Sequence, residues 1–388
     1  MIILGLISGT SHDGIDAATV DFELVDNQLQ AKVVAIDSAK YSSDVRSRLL
    51  DSLPPNQTSF EEVCKLDTEI ALEFANLAKK QLEQGPIDLI TSHGQTVFHW
   101  VEKNKALGTL QLGQPAWIAS ATDTPVLSDL RIADIASGGQ GAPVVPILDL
   151  LALAEADKVV ASVNLGGIAN VTILDGKNIR AAYDTGPASA LIDAVVHKYQ
   201  MHEKGFDEDG LIAKSGNIDQ ELLKTLLAEP YYGLEEPKST GKELFHIDYL
   251  EVLVSKLGHE VSPEDLVATV TELTAVTLAD QINKHNVQKM VFAGGGVYNQ
   301  TLMNSVEQKT GMKAETIADY GVAAEAKEAF AMALIGWLSA HNLPSTFPSS
   351  TGAERPVVLG TLTPASTGFP RFESLDSLPR GLVIQSEG

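Results

Sequence analysis

One pattern occurs twice in this chain and narrows its fold more than anything else. Ile2–Ile7 is an apolar run, Ser8-Gly9-Thr10-Ser11-His12-Asp13-Gly14 a small polar turn, and Ile15–Phe22 a second run broken only by Asp16, Thr19 and Asp21. Ala31–Ala39 then supplies a third run. The same series returns later. Lys158–Asn164 is followed by Leu165-Gly166-Gly167-Ile168, by Ala169–Leu174, by an Asp175-Gly176 turn and by Ile179–Tyr183. Short apolar runs joined by glycine-bearing turns read as strands and tight turns. Their recurrence in the same order reads as an internal duplication. Two α/β domains facing each other across a cleft are the expected arrangement, since strands and helices alternate elsewhere.

The 388 residues exceed what one hydrophobic core normally organises. Helices are expected around Ser59–Gln84, Ala188–Tyr199 and Asn299–Thr310, and strands at Ile87–Ser92, ending at His93-Gly94, and at Lys289–Ala293. Leu127–Pro146, rich in Gly, Ala, Pro and Asp, is the expected crossing between domains. The expected division is residues 1–130, completed by part of the tail, and residues 131–388. The proline-bearing tail from Leu343 should be extended or loop, with a short strand at Pro356–Leu359.

Charge excludes some partners. Lys and Arg total 28 against 51 acidic residues, a formal charge of -23, so nucleic acid and anionic lipid surfaces are repelled. Any phosphate-bearing ligand must be held locally, by backbone N–H groups, a few cations or Mg²⁺. No apolar stretch reaches the length of a membrane span and the first residues lack a signal-peptide pattern, so cytoplasm is the expected compartment. Cys64 stands alone and is expected to be a buried bystander thiol.

Four segments could carry chemistry. Gly9-Thr10-Ser11-His12-Asp13-Gly14-Ile15-Asp16 combines hydroxyls with a glycine-permitted backbone and can present donors to phosphate oxygens. Asp13 could sit on Mg²⁺ there, directly or through water. It is not a Walker A loop, because no Gly-Lys-Ser/Thr closes it, and by itself it also reads as a plain hairpin turn. Gly294-Gly295-Gly296 follows an apolar strand and precedes a helix, leaving the backbone open to a phosphate or a planar ring; a flexible connection is the bland alternative. Gly138-Gly139-Gln140-Gly141 reads equally as such a loop or as a hinge. Asp184, in Tyr183-Asp184-Thr185-Gly186-Pro187, is either a general base at the end of a strand or the cap of the next helix. Asp193, inside that helix, is a surface or nucleotide-side residue.

The fourth segment, Thr91–His99 with Gln111–Pro115, is dense in side-chain donors and acceptors of the kind that bind sugars. His93 and His99 have no third metal ligand at suitable local spacing. Arg131, in Asp129-Leu130-Arg131, could orient a carboxylate or a substrate oxygen, or serve as a structural ion-pair partner.

In order, Gly5–Asp16, Ser92-His93-Gly94-Gln95-Thr96, Asp129-Leu130-Arg131 and Asn164–Asn170 closely resemble the anhydro-N-acetylmuramic acid kinase family. Asp184-Thr185-Gly186-Pro187, Glu236-Pro237-Lys238-Ser239-Thr240-Gly241, Gly294-Gly295-Gly296-Val297, Asp319-Tyr320-Gly321 and Glu325-Ala326 continue the match over essentially the whole chain. The resemblance implies a two-domain actin-like sugar kinase fold with ribonuclease-H-like cores closing around ATP and sugar. It also implies a cytoplasmic enzyme of peptidoglycan recycling, a homodimer, with ATP and Mg²⁺ as cofactors and an anhydrosugar as substrate. Carried over by position, Gly9–Asp16 are the ATP phosphate loop, joined on the nucleotide side by Gly166, Gly167, Gly294, Gly295 and Gly296. Asp184 is the catalytic carboxylate, and His93, Gln95, Thr96 and Arg131 lie on the sugar side.

The chain departs from the family pattern in three places. His12 stands where Leu is usual, Ala188-Ser189 replaces Gly-Asn, and Val195 replaces a common Trp. A 1,6-anhydro sugar has no free hydroxyl at C6. Water must therefore attack C1 while the departing C6 oxygen takes the γ-phosphoryl group, and one carboxylate base suffices. Levoglucosan, another 1,6-anhydrosugar, is the nearest alternative substrate. An actin-like or Hsp70-like clamp is the nearest alternative of another class, but no peptide-binding domain follows the second half.

Overall fold

The computed structural model describes residues 1–385 except Thr10, Asn104, Lys242 and the side chain of Glu325. Thr10, read from sequence as part of the phosphate loop, thus lies outside the described residues. The chain divides into two compact units, residues 1–152 with 320–388 and residues 153–319. The division expected from sequence grouped 131–388 together. By contacts, 131–152 remain with the first unit, where Ile135, Ile147 and Leu148 are buried, and so does Leu127–Pro146, expected as the crossing.

The first unit is built on β1 (Ile2–Ser8), β2 (Gly14–Val25), β3 (Gln28–Lys40), β4 (Leu89–Glu102), β5 (Lys105–Leu112) and β6 (Val126–Ser128). The sheet order is β6-β4-β1-β2-β3. β2 runs antiparallel to both its neighbours, whereas β4 is parallel to β1 and β6 parallel to β4. Thr361–Thr363 extends the sheet beside β6 and Leu382–Gln385 extends it beside β3.

One face of this sheet is covered by the helix Phe60–Leu82. Ser59 caps it by accepting from the Glu62 amide at 3.1 Å, acidic residues occupy its first turn and Lys79 and Lys80 its last. Its buried stripe, Leu66, Ile70, Phe74 and Leu77, packs in one core with Leu4, Leu6 and Ile90. Cys64 lies two residues from that stripe, on the opposite side of the helix, and is exposed rather than buried. The helix Lys327–Ala340 packs on β1 so closely that a Cβ on Gly5 would come within 2.0 Å of the Ala329 carbonyl oxygen. Phe22 meets two rings of that helix. Its centroid lies 6.0 Å from that of Phe330 and 6.4 Å from that of Trp337.

The second unit repeats the plan with β7 (Val159–Leu165), β8 (Ile168–Asp175), β9 (Asn178–Pro187), β10 (Lys289–Ala293) and β11 (Ala314–Thr316). Its order, β11-β10-β7-β8-β9, matches the first unit strand for strand, with β8 antiparallel and the other crossings parallel. The duplication read from the sequence is a duplication of topology. The helix Pro263–Lys284 is capped by Ser262 and buries Leu266, Val270 and Leu273 with Val195, Leu222 and Phe245. Val195, at the position where the family often carries Trp, is therefore a core residue.

Two strand ends fall elsewhere than expected, and one expected strand does not form. β4 does not stop at His93-Gly94 but continues to Glu102, because β5 returns as a hairpin partner and satisfies its backbone. β9 runs through Asp184 to Pro187, with Asp184 opposite Asn170 of β8. In the tail, Pro356–Leu359 forms no strand. Val357 makes a lone bridge to Thr346, while Pro348–Thr351 is a short helix.

Candidate active site

In the first unit the candidate residues gather where β1 turns into β2. Ser8 Oγ lies 2.6 Å from the Gly14 carbonyl and 2.7 Å from Gln95 Oε1, so its single proton serves the far end of the turn and β4. Gln95, fully buried, donates through Nε2 to the Gly9 carbonyl at 3.2 Å and to the Thr96 carbonyl at 3.2 Å. Gln95 thus holds both ends of the turn, one directly and one through Ser8. Inside the turn Ser11 Oγ donates to Asp13 Oδ1 at 2.5 Å, and Asp13 and Asp16 are exposed. His12 has a φ of 54°. His enters that left-handed conformation more readily than a bulky aliphatic residue such as the family's usual Leu. Gly14 is required for another reason, since a Cβ there would lie 2.4 Å from the Ala39 carbonyl of β3. Ile15 is buried in the core, which leaves only its backbone to a ligand.

A second group lies around His93 of β4. Arg131 Nε donates to His93 Nε2 at 2.8 Å. That bond requires Nε2 to be the acceptor, so the ring proton sits on Nδ1. Nδ1 lies 3.2 Å from the Gly94 carbonyl. Burial and the adjacent guanidinium push the His93 pKa down to about 3, so it is neutral at physiological pH. Burial also lowers the pKa of Arg131, and Glu328 opposes that shift. Glu328, at the start of the helix Lys327–Ala340, has its own carboxyl raised by desolvation and is drawn the other way by Lys327 and Arg131. Sequence reading missed Glu328; its only signal was a position close after the matching Glu325-Ala326. Thr96 Oγ1 accepts from Gln111 Nε2 at 3.2 Å. Gly138–Gly141 wraps a buried carboxylate: Asp134 accepts from the Gly141 amide at 2.8 Å and from Thr351 Oγ1 at 2.7 Å.

In the second unit the glycines fall into two kinds. The carbonyls of Gly166 and Gly167 accept from the amides of Ser189 at 3.0 Å, Ala188 at 2.9 Å and Ala190 at 3.0 Å. The β7–β8 turn therefore caps the helix Ser189–Lys198, whose Ala188 offers no capping side chain. Gly294, with a φ of 83°, and Gly296 press on Leu165: Cβ atoms there would meet its carbonyl oxygen at 2.7 Å and its Cβ at 2.6 Å. Gly295 between them faces nothing within 4 Å.

Asp184 is half-buried in β9. Its Oδ2 accepts from Ser239 Oγ at 2.9 Å and from the Thr240 amide at 3.0 Å, while its own amide donates to the Lys238 carbonyl at 3.0 Å. Among the described residues none donates to Oδ1. Desolvation raises its pKa, against the hydrogen bonds from Thr240 and Ser239. A carboxylate with one oxygen tied and its basicity raised is suited to taking a proton. It does not cap the following helix. Sequence reading quoted Ser239 and Thr240 only as part of a motif; nothing in their spacing connected them to Asp184. No group of three or more His, Cys, Asp or Glu is gathered for a metal among the described residues. Mg²⁺ needs only one or two carboxylates beside phosphate and water, and the exposed Asp13 meets that requirement.

A sheet with the strand order and directions of the ribonuclease-H fold is present twice, the duplicated architecture of the actin-like class, with a hydroxyl- and glycine-bearing turn in the first copy and a hydrogen-bonded carboxylate in the second. The chain belongs to the anhydro-N-acetylmuramic acid kinase family, whose profile matches residues 1–365. A relative of that name from Streptomyces avermitilis is 45% identical over 389 residues, 99% of this chain and 100% of its own length. One from Rhodococcus erythropolis is 45% identical over 398 residues, all of both chains, and one from Caldanaerobacter subterraneus 35% identical over 382 residues, 93% of this chain and 96% of its own.

Proposed function

We propose that the protein opens 1,6-anhydro-N-acetylmuramic acid with water and ATP, giving N-acetylmuramic acid 6-phosphate and ADP. The observation that carries this reading is the carboxylate of Asp184, held at Oδ2 by Ser239 and Thr240 and, among the described residues, with no donor to Oδ1, the oxygen that would face the reacting water. Asp184 takes a proton from that water as its oxygen bonds to C1 of the sugar. The bond from C1 to the bridging oxygen breaks, and that oxygen, still on C6, accepts the γ-phosphoryl group. The proton leaves later to solvent, so the sum is sugar, water and ATP to phosphosugar and ADP.

The turn of Gly9–Asp16 binds and orients the phosphates through its hydroxyls and backbone. Asp13 would hold Mg²⁺, directly or through water; when bound, the ion neutralises charge on the phosphates. Arg131, kept in place by His93, supports recognition of the lactyl carboxylate that distinguishes muramic acid from other anhydrosugars. Family membership supports a place in peptidoglycan recycling in the cytoplasm, with a homodimer as the working assembly. No described helix is long and apolar enough to cross a membrane.

The test is ADP release with 1,6-anhydro-N-acetylmuramic acid and with levoglucosan, each against a blank without sugar. Strong stimulation by the muramic compound and little by levoglucosan is expected. Equal stimulation would remove the carboxylate-recognition role, and no stimulation by either would overturn the function.

A further inference from the structure

The segment Glu236–Thr240 is fastened at more points than a surface loop needs. Glu236 Oε2 lies 3.0 Å from His285 Nε2, and that nitrogen lies 2.9 Å from the hydroxyl of Tyr183, the residue before Asp184. Lys238 turns its ammonium inward, donating to the carbonyls of Tyr232 at 3.0 Å and Tyr231 at 3.3 Å. The same ammonium lies 4.9 Å from the Tyr231 ring centroid, within range of a cation–π attraction. Tyr231 in turn donates its hydroxyl to the Asp184 carbonyl at 2.8 Å. The Asp184 amide closes the circuit on the Lys238 carbonyl at 3.0 Å. Backbone and side chain of Asp184 are thus both bound by one five-residue segment, and the segment is locked to the core behind β9.

We infer that Ser239 is a positioning residue for the reaction: its hydroxyl, with the Thr240 amide, fixes Asp184 through Oδ2, so that Oδ1 is the oxygen left to act as base. The inference rests on the reading of Asp184 as the base. Ser239 is exposed, so removing its hydroxyl opens no core cavity. Lys238 acts one step further out, holding the segment at its height along β9. The Ser239 bond favours the ionised carboxylate, so its loss weakens both the orientation and the ionisation of Asp184.

The experiment is kcat, KM and the pH dependence of kcat/KM for Ser239→Ala, Ser239→Thr and Lys238→Met, with Asp184→Asn alongside. Ser239→Ala should lower kcat about 5- to 20-fold at unchanged KM for ATP and move the acid limb up by about half a pH unit or more. Ser239→Thr should restore both, and Lys238→Met should lower kcat without raising KM for ATP. An unmoved acid limb and unchanged kcat in Ser239→Ala, with Asp184→Asn inactive, would overturn the positioning role alone. Near-normal turnover of Asp184→Asn would overturn the base reading on which it rests.

Discussion

The β1–β2 turn of the first unit and the β7–β8 turn of the second occupy the same place in the same sheet topology, yet their polar groups go to different uses. In the first, Gln95 and Ser8 reach in from the strands to hold the turn's two ends, and Ser11, Asp13 and Asp16 remain at the surface. In the second, two glycines suffice, and their carbonyls are taken up by the first amides of the next helix. A duplicated backbone has thus diverged by where its hydrogen bonds are satisfied: one copy holds a turn whose polar side chains stay exposed, the other holds a helix. In the second unit the proposed base, Asp184, lies one strand over, in β9.

The sharpest way to break this contrast is to remove that carboxylate. Asp184→Asn should bind ATP and sugar normally and lose at least about 10²-fold in turnover, read by steady-state kinetics and calorimetric binding. Next come the glycines beside β7. In Gly294→Ala a strained φ is combined with a 2.7 Å approach to the Leu165 carbonyl. That change should cost about 1–3 kcal/mol of stability, whereas Gly295→Ala should unfold at the wild-type midpoint in urea.

The two turns can be compared in the same way. Gly14→Ala would force a Cβ to 2.4 Å from the Ala39 carbonyl. It should also destabilise by about 1–3 kcal/mol. Gly166→Ala would first meet Asn164 Nδ2, at an ordinary contact distance of 3.6 Å. Its stability should change by no more than about 0.5 kcal/mol. Equal losses would mean that both turns are packed alike and would erase the distinction. The smallest expected effect is on pH dependence. Asp184 must be ionised to accept a proton, and desolvation lifts its pKa. On acidification kcat/KM should therefore fall with a midpoint above the ordinary value for Asp of about 3.9. A limb at or below that value would exclude desolvation as the dominant influence.

Apolar runs and glycine turns made the fold legible, because strand position in a sheet of this kind follows from hydrophobic continuity. Strand ends were less legible. β4 runs on past Gly94 only because β5 comes back to meet it, a partnership that no local pattern announces. The site was legible as a set of residue types but not as a set of partners. His93 reads as a sugar-side residue, but no local pattern announces that Arg131, 38 residues away, donates to it. Ser239 and Thr240 lie 55 and 56 residues from the carboxylate they hold. The cysteine was misjudged because an apolar neighbourhood in sequence is not one face of a helix.

The tail's two strands have a consequence for the order of synthesis. Thr361–Thr363 pairs along β6 and Leu382–Gln385 pairs with Leu29–Lys32 of β3, at the two edges of the first unit's sheet, yet they are translated after every residue of the second unit. On the ribosome the second unit is complete while the first still exposes the backbone of β3 and β6. The first unit to be started is the last that can be finished, and for that interval its bare edges are the part of the nascent chain most open to mispairing.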